Sequence, residues 1–573
     1  MTRGERQLRE AIIAKCRWMN DSGLNQARRP DADDGEEVRK LRPAGSAGGG
    51  DSSDARGAAR DRKKAQQGEM TGAASAASKD HGLVDIAVIG GGINGAGIAR
   101  DAAGRGLKVL LCEKGDLAEG TSSRSGKLVH GGLRYLEYYE FRLVREALIE
   151  REVLLASAPH IIWPLRFVLP HSPGQRPAWL VRGGLFLYDH LGGRKRLPPS
   201  RSFDLSRAPE GAPLRPEFRH AFEYSDCWVD DARLVVLNLV DAARFGALVL
   251  PRTRATRARR AGETWHLEMQ SEDGRVHVVR ARALVNAAGP WVEDVLQRVT
   301  NLNSSHSVRL VKGSHVVVPK FWAGSHAYLF QNDDRRVIFV NPYEGDLALV
   351  GTTDIPYDGR AEDVAIDGAE VQYLLRALGR FLRTPPQAHD IVHAFSGVRP
   401  LYDDSSEDPS AVTRDYVLEI DSGPEIPPVL SIFGGKITTY RKLAEHALQR
   451  LMPWFPRLSP AWTAVARLPG GDIPGPFEDF VVDLRHEYPV LPDKLIRHCA
   501  RLYGTRAREL LGPARTCSDL GRHFGGYFYE REARYLRETE WATHAADVLD
   551  RRTKHGLHLT SCQRAAFEDS IGK

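Results

Sequence analysis

The chain has 573 residues, 42% hydrophobic and 27% charged, with six scattered cysteines and a formal charge of +6, enough for two or three globular domains with sizeable cores. Residues 1–80 hold 16 Lys+Arg against 13 Asp+Glu, half of that excess, so the remainder is close to neutral and no nucleic-acid surface is expected. The cysteines lack Cys-x-x-Cys or other ligand spacing, which points to reduced thiols and to no zinc or iron–sulfur centre.

Residues 5–19 have the spacing of a short amphipathic helix through Leu8, Ile12, Cys16 and Met19, and residues 20–82 are rich in Gly, Ala, Ser and charge. Such a segment buries too little apolar surface to order itself, so 1–82 is read as a disordered extension, with Met70 the expected first residue of the working chain. No apolar run approaches the roughly eighteen residues of a membrane-spanning helix.

At 84–116 the pattern changes to VDIAVIGGGINGAGIARDAAGRGLKVLLCEKGD. Val84, Ile86, Val88 and Ile89 form a strand, Gly90-Gly91-Gly92 a turn, and Ile93, Ala96, Ile98, Ala99 and Ala102 recur at helical spacing. A second apolar run from Leu107 to Cys112 ends in Glu113. Gly90, Gly92 and Gly95 satisfy G-x-G-x-x-G: the first permits the turn, the second lets a pyrophosphate approach, and the third lets helix and strand pack closely. Free N–H groups at the helix start face phosphate, and Glu113 stands where a ribose hydroxyl is bound. A dinucleotide is expected; the motif alone does not separate NAD from FAD.

Farther on, Phe141, Val144, Leu148 and Leu155 mark a helix that stops at Pro159, and strands are expected at 264–269, 276–286, 308–318, 336–341, 347–351 and 428–433, most of them antiparallel because few residues separate them. After Pro453 helices prevail, including 493–503 and 531–554. RALVNAAGPWVEDVL (282–296) and LSIFGGKITTYRKLAEHAL (430–448) each run from strand through a small-residue turn, at Ala288-Gly289 and Gly434-Gly435, into a helix, the second opening near Thr438. Two further turns with free N–H groups suit a long cofactor and the pyrimidine oxygens of a flavin, which favours FAD. The expected organisation is an extension (1–82), a FAD-binding domain with an interleaved substrate domain (83–455) and a C-terminal helical domain (456–573).

GGGINGAGIARDAAGRGL, TSSRSGKLVHGGLRYLEYYEFRLVREAL, FEYSDCWVDDARLV, VKGSHVVVP, GTTD, SGVRPL, TRDY and FGGKITTYRKLAEHAL occur in this order. Over residues 84 to about 555 the chain closely resembles the FAD-dependent, respiratory glycerol-3-phosphate dehydrogenases. The resemblance implies a mixed α/β fold of the D-amino-acid-oxidase type, with a Rossmann-like FAD-binding domain, an antiparallel substrate domain and a helical C-terminal domain. It implies oxidation of sn-glycerol 3-phosphate to dihydroxyacetone phosphate, with hydride transfer to flavin N5 and electrons passed to quinone at the inner face of the cytoplasmic membrane. It assigns FAD to Gly90, Gly92, Asn94, Gly95, Glu113, Ser122, Ser123, Lys127, His130, Gly131, Ala288, Gly289, Gly434, Gly435, Lys436 and Thr438. Arg134, with Tyr135 beside it, and Lys436 match its phosphate contacts, a planar fork and a point charge. Arg399 and Arg414 match positions around the substrate, Arg399 being assigned to the C2 hydroxyl. His315 is the candidate base, since imidazole titrates in the useful range. Asp230 and Asp231 read as caps of the helix that begins there.

Three other readings compete. An oxygen-using glycerol-3-phosphate oxidase would share the site; an amino-acid oxidase of this fold needs one carboxylate-binding Arg, and several cations argue against it; a non-catalytic flavoprotein would bind FAD without turnover. Residues 177–198 set Trp179, Leu180, Val181, Leu185, Phe186, Leu187 and Tyr188 against Arg182, Arg194, Lys195 and Arg196. That grouping suits peripheral attachment to an anionic membrane surface, against a plain buried helix. A homodimer is left open.

Overall fold

The β-branched run at 84–89 forms the buried half of strand β1 (Lys79–Ile89) in the computed structural model, which describes residues 78–172, 174–193, 196–304, 306–334, 336–403 and 415–571. Helix α1 (Ile93–Gly104) carries the chain to β2 (Val109–Cys112), parallel to β1. On the other side of β1 lies β3 (Val276–Asn286), also parallel, and beyond it β4 (Ile426–Phe433). Parallel neighbours end at the same edge: Ile89 pairs with Asn286, and Asn286 with Ser431. The three glycine-bearing turns, distant in sequence, therefore leave one sheet edge, where open α/β sheets bind ligands.

The first strand begins earlier than the sequence suggests. Lys79 and Asp80 pair with His277 and Val278, and His81 stacks on His277 with ring centroids 5.3 Å apart. A partner strand thus orders residues 79–82, which composition assigned to the extension; residues 1–77 lie outside the described residues.

A second sheet of ten strands supplies the other wall. Its strand β5 (Val308–Pro319) runs antiparallel to both β6 (His393–Tyr402) and Leu347–Gly351. Apolar clusters fill both faces, with Phe330 and Phe381 in one and Phe167 and Tyr224 in the other. The expected strands at 264–269, 308–318, 336–341 and 347–351 occur as Thr264–Ser271, β5, Val337–Tyr343 and Leu347–Gly351. Thr264–Ser271 belongs to the first sheet, antiparallel to β3, and the strands at 276–286 and 428–433 are β3 and β4 of that sheet, where they pair in parallel with each other.

Helix α2 (Asp231–Arg244) is buried through its first three turns. Asp230 caps it, accepting from the Arg233 N–H at 3.1 Å. The C-terminal domain is helical, with Phe477–Glu487, Asp493–Tyr503, Glu530–Glu540 and Ser561–Ile571 around their own apolar core. The helix expected over 531–554 is broken: it stops at Glu540, and Trp541 turns left-handed at φ +56°. Tertiary ion pairing overrides the helical pattern here. The Glu540 carboxylate, fully buried, takes the Arg233 guanidinium of α2 and Arg506 at 3.1 Å, while Arg552 donates to the Glu540 carbonyl at 3.0 Å. Removing one member of a buried pair strands the other in low dielectric. Glu540→Gln is expected to destabilise the protein by about 3 kcal/mol or more, read as a lower denaturant midpoint at constant FAD; a loss below about 1 kcal/mol would show that the pair does not hold the domain.

Candidate active site

The turn after β1 is built by backbone contact. A Cβ at Gly90, whose φ is +116°, would lie 2.5 Å from the Ala287 carbonyl, and one at Gly95 would lie 2.0 Å from that of Gly90. No other residue fits either position. Glu113 at the end of β2 accepts from the Gly91 and Gly115 N–H groups at 2.7 and 2.9 Å, and burial raises its carboxyl above the usual value. Ser122 accepts from the Ile93 N–H at 3.0 Å, beside Gly92.

At the β4 end, Gly434 and Gly435 adopt φ +82° and +102°. Asn94 donates to the Gly434 carbonyl at 3.2 Å, and its Oδ1 is buried with no partner among the described residues. At the β3 end, Gly289 has φ +57° and Ala288 donates its N–H to Asn286 at 3.4 Å. Glycine turns, the start of α1, an acidic group at the ribose position and an unsatisfied buried carboxamide oxygen converge on one edge, a donor set that fits a dinucleotide.

Residues 121–131 connect these features to the second sheet. Thr121 Oγ1 donates to the Val398 carbonyl at 2.8 Å and Arg124 to that of Ser396 at 3.0 Å, both on β6. Asn341 donates to the Gly126 carbonyl at 3.2 Å, and the His130 N–H reaches Thr438 Oγ1 at 3.3 Å. The Gly131 N–H is taken by Tyr188 at 2.8 Å. Lys127, at φ +58°, spends its ammonium on Asp231 at 2.8 Å and the Ser123 carbonyl at 3.1 Å. Asp231 also accepts from Ser125 Oγ at 2.7 Å, so of the two predicted caps only Asp230 caps α2; Asp231 pins this segment.

His315 and Arg399 lie on one face of paired strands, since His315 opposes Phe395 and Val311 opposes Arg399. His315 is 3% exposed, its ring stacks on Phe395 at 5.0 Å, and its Nδ1 is buried with no partner among the described residues. Burial, with Arg399 and Lys127 nearby, lowers its pKa to about 3, so the imidazole is neutral over the working range. Arg399 pairs with Asp354 at 2.7 Å and donates to Thr352 Oγ1 at 3.2 Å. It crosses β5 at Gly313, where a Cβ would come within 2.7 Å of the guanidinium. Tyr135 and Lys436 meet, the ammonium 4.3 Å from the ring centroid. Arg134 is half-buried next to them, 3.5 Å from Tyr138 Oη. Arg414 lies outside the described residues.

The sequence pointed to most of these positions and missed their supports. Thr352 and Asp354 stand in GTTD but drew no role until the fold set them on Arg399. Asn341 and the group His498, Glu532 and His555 lie in no recognisable spacing.

Residues 85–441 match the family of FAD dependent oxidoreductases, and residues 461–569 match the C-terminal domain of alpha-glycerophosphate oxidase. The chain is 61% identical to the D-erythritol 1-phosphate dehydrogenase of Brucella abortus over 84% of its own length and 96% of the relative. It is 52% identical to the aerobic glycerol-3-phosphate dehydrogenase of Escherichia coli over 84% and 96%. A solved glycerol-3-phosphate dehydrogenase from Bacillus halodurans, complexed with FAD, superposes with a TM-score of 0.65 at 25% identity, covering 86% of this chain and 94% of that one.

An unfolded imidazole titrates near 6.5 and the buried His315 near 3, so between those values only the unfolded chain takes up this proton, and stability falls with pH below 6.5. His315→Asn is expected to flatten the acid limb of stability against pH by up to about 1.4 kcal/mol per pH unit between about pH 6 and 4. Parallel limbs for variant and wild type would show that His315 is not held neutral.

Proposed function

The chain belongs to the FAD-dependent oxidoreductases, within the group that holds the glycerol-3-phosphate dehydrogenases, and it takes FAD as its cofactor. From that premise we propose that it oxidises the secondary alcohol of a short polyol phosphate, sn-glycerol 3-phosphate, to the ketone, dihydroxyacetone phosphate, and passes the electrons to a membrane quinone. The observation that carries this reading is the segment 121–131, which ties the glycine turn at Gly92, the strand of Arg399 and the helix start at Thr438 into one site.

Bound FAD supplies the hydride acceptor. Gly90, Gly92 and Gly95 with the N–H groups at the start of α1 hold its pyrophosphate, Glu113 its ribose, and the turns at Ala288-Gly289 and Gly434-Gly435 its far end. Lys436 and Arg134, at the Tyr135 ring, hold the substrate phosphate. Arg399, fixed by Asp354 and Thr352, polarises the C2 hydroxyl where negative charge develops. His315, already neutral, takes the hydroxyl proton.

A second reading concerns the length of the polyol. The 61% identity to a D-erythritol 1-phosphate dehydrogenase favours a substrate one carbon longer, with the same terminal phosphate and secondary alcohol. Comparing kcat/KM for the two phosphates decides between them. In either case Lys436→Ala is expected to raise KM for the phosphorylated substrate by about 10- to 100-fold while changing turnover of free glycerol little, as for loss of a charge-assisted contact. Equal losses on both would remove Lys436 from the phosphate site.

The proposal also sets the protein on the inner face of the cytoplasmic membrane. No helix among the described residues is long and apolar enough to cross one. The helix Ala178–Leu191 buries Leu185 and Tyr188 and turns Trp179, Leu180 and Phe186 outward, 48%, 41% and 50% exposed. Tyr138 and Tyr139 project nearby, and the Arg176–Glu137 pair at 2.6 Å ties their turn to the residues just before that helix. Arg196 is exposed, whereas Arg182 donates to Ser200 at 2.8 Å, and Arg194 and Lys195 lie outside the described residues. Aromatic and aliphatic tips of this kind seat a protein in the interface. Trp179→Glu with Phe186→Glu should weaken binding to phosphatidylglycerol vesicles about 10-fold or more while leaving reduction of a soluble dye intact; unchanged binding would place the contact elsewhere.

A further inference from the structure

The C-terminal domain holds a side-chain cluster that the proposed oxidation does not use. His498 from Asp493–Tyr503, Glu532 from Glu530–Glu540 and His555 from the turn at 555–557 meet in its interior, their side chains 14%, 5% and 6% exposed. One oxygen of Glu532 faces His498 Nε2 at 2.8 Å and the other faces His555 Nε2 at 2.9 Å. Ligand atoms from all three residues lie within 4.8 Å of one another, and no other such group of three occurs among the described residues.

We propose that this cluster binds one divalent transition cation of the zinc class. Two neutral imidazoles and a carboxylate are the ligand set of many three-ligand zinc sites, which leave a fourth position for water or another oxygen. Ligand atoms held about 2.0–2.2 Å from a common tetrahedral centre stand roughly 3.4 Å from one another, so the two contacts at 2.8 and 2.9 Å open slightly while the wider separations, all within 4.8 Å, close. An outer shell is in place, since Tyr503 donates its phenol to Glu532 at 2.7 Å and so orients the carboxylate.

The location suggests what the ion does. His555 follows Lys554, which pairs twice with Asp230 at 2.5 Å, and Arg552 and Arg551, which both grip Asp116 in the loop after Glu113. An ion shared by His498, Glu532 and His555 fastens this segment to two helices and so braces the cations that reach into the FAD-binding domain. It acts as a structural clamp, apart from the redox site.

Untagged full-length holoenzyme, incubated with one equivalent of zinc and dialysed against metal-free buffer, is expected to retain about one zinc per chain, and cobalt in its place should give the visible bands of a low-coordinate nitrogen and oxygen site. Glu532→Gln and His555→Gln should each lower retained zinc about 10-fold or more and abolish the zinc-dependent rise in melting temperature, with FAD content unchanged. Two other ring pairs, His81 with His277 and His171 with His220, offer two ligands each, so equal retention by wild type and variants would assign the metal to such two-histidine sites and overturn the proposal. Should the variants fail to fold, the wild-type cobalt spectrum decides: absence of the bands, or less than about 0.1 zinc per chain, leaves the cluster a hydrogen-bonded network only.

Discussion

The buried ion pair between Lys127 and Asp231 is the constraint on which the site's geometry depends. Both side chains are almost fully withdrawn from water, 3% and 0% exposed, and Lys127 sits at φ +58°, a conformation that costs a lysine free energy unless its surroundings impose it. Desolvating two charges gains little net stability, so the pair makes sense as a device of position. It fixes the middle of residues 121–131 to the first turn of α2. Ser122 can then meet the glycine turn, Thr121 and Arg124 can meet β6, and His130 can meet Thr438. Without it these contacts would each have to order a polar loop at its full entropic cost.

Sheet topology does the complementary work. Three turns about 200 and 150 residues apart in sequence are brought to one edge because β1, β3 and β4 are parallel neighbours in register. Each turn is locally ordinary. The cofactor site arises from their alignment, and the close approaches at Gly90 and Gly95 hold that alignment to tenths of an ångström.

What could be read beforehand follows from this division. The first βαβ unit was legible because its signals are local: β-branched run, glycine turn, helical period and terminal Glu113 lie within thirty residues. Short, wholly apolar runs bounded by turns, such as Leu347–Gly351, were also legible. The break after Glu540 was not, since 531–554 has a sound helical pattern and the buried arginines that grip Glu540, among them Arg233 some three hundred residues away, come together only in the fold. Nor were Asp354 as the partner of Arg399, or the meeting of His498, Glu532 and His555, because no spacing encodes a contact made by folding. Lys79–Gly82 shows the opposite case, in which polar composition hid a strand that its neighbour β3 pulls into order.

The electrostatics of the site bear on how the proposed reaction divides its labour. Burial, with Arg399 and Lys127 adding to it, holds His315 neutral, with a pKa near 3, and an imidazole so weakly basic is a poor acceptor for a proton from an unassisted alcohol. The same two cations would favour any negative charge that forms beside them. A phosphate dianion and a developing alkoxide both bring such charge, and by Coulomb's law they offset the cations' effect on His315 and raise its affinity for a proton. Substrate binding would therefore make the base stronger at the moment it is needed, while the substrate-free site keeps its imidazole neutral. In the proposed reaction Arg399 would be the primary determinant of the chemical step and His315 would depend on it, so the two side chains would act as one unit whose separate contributions do not add.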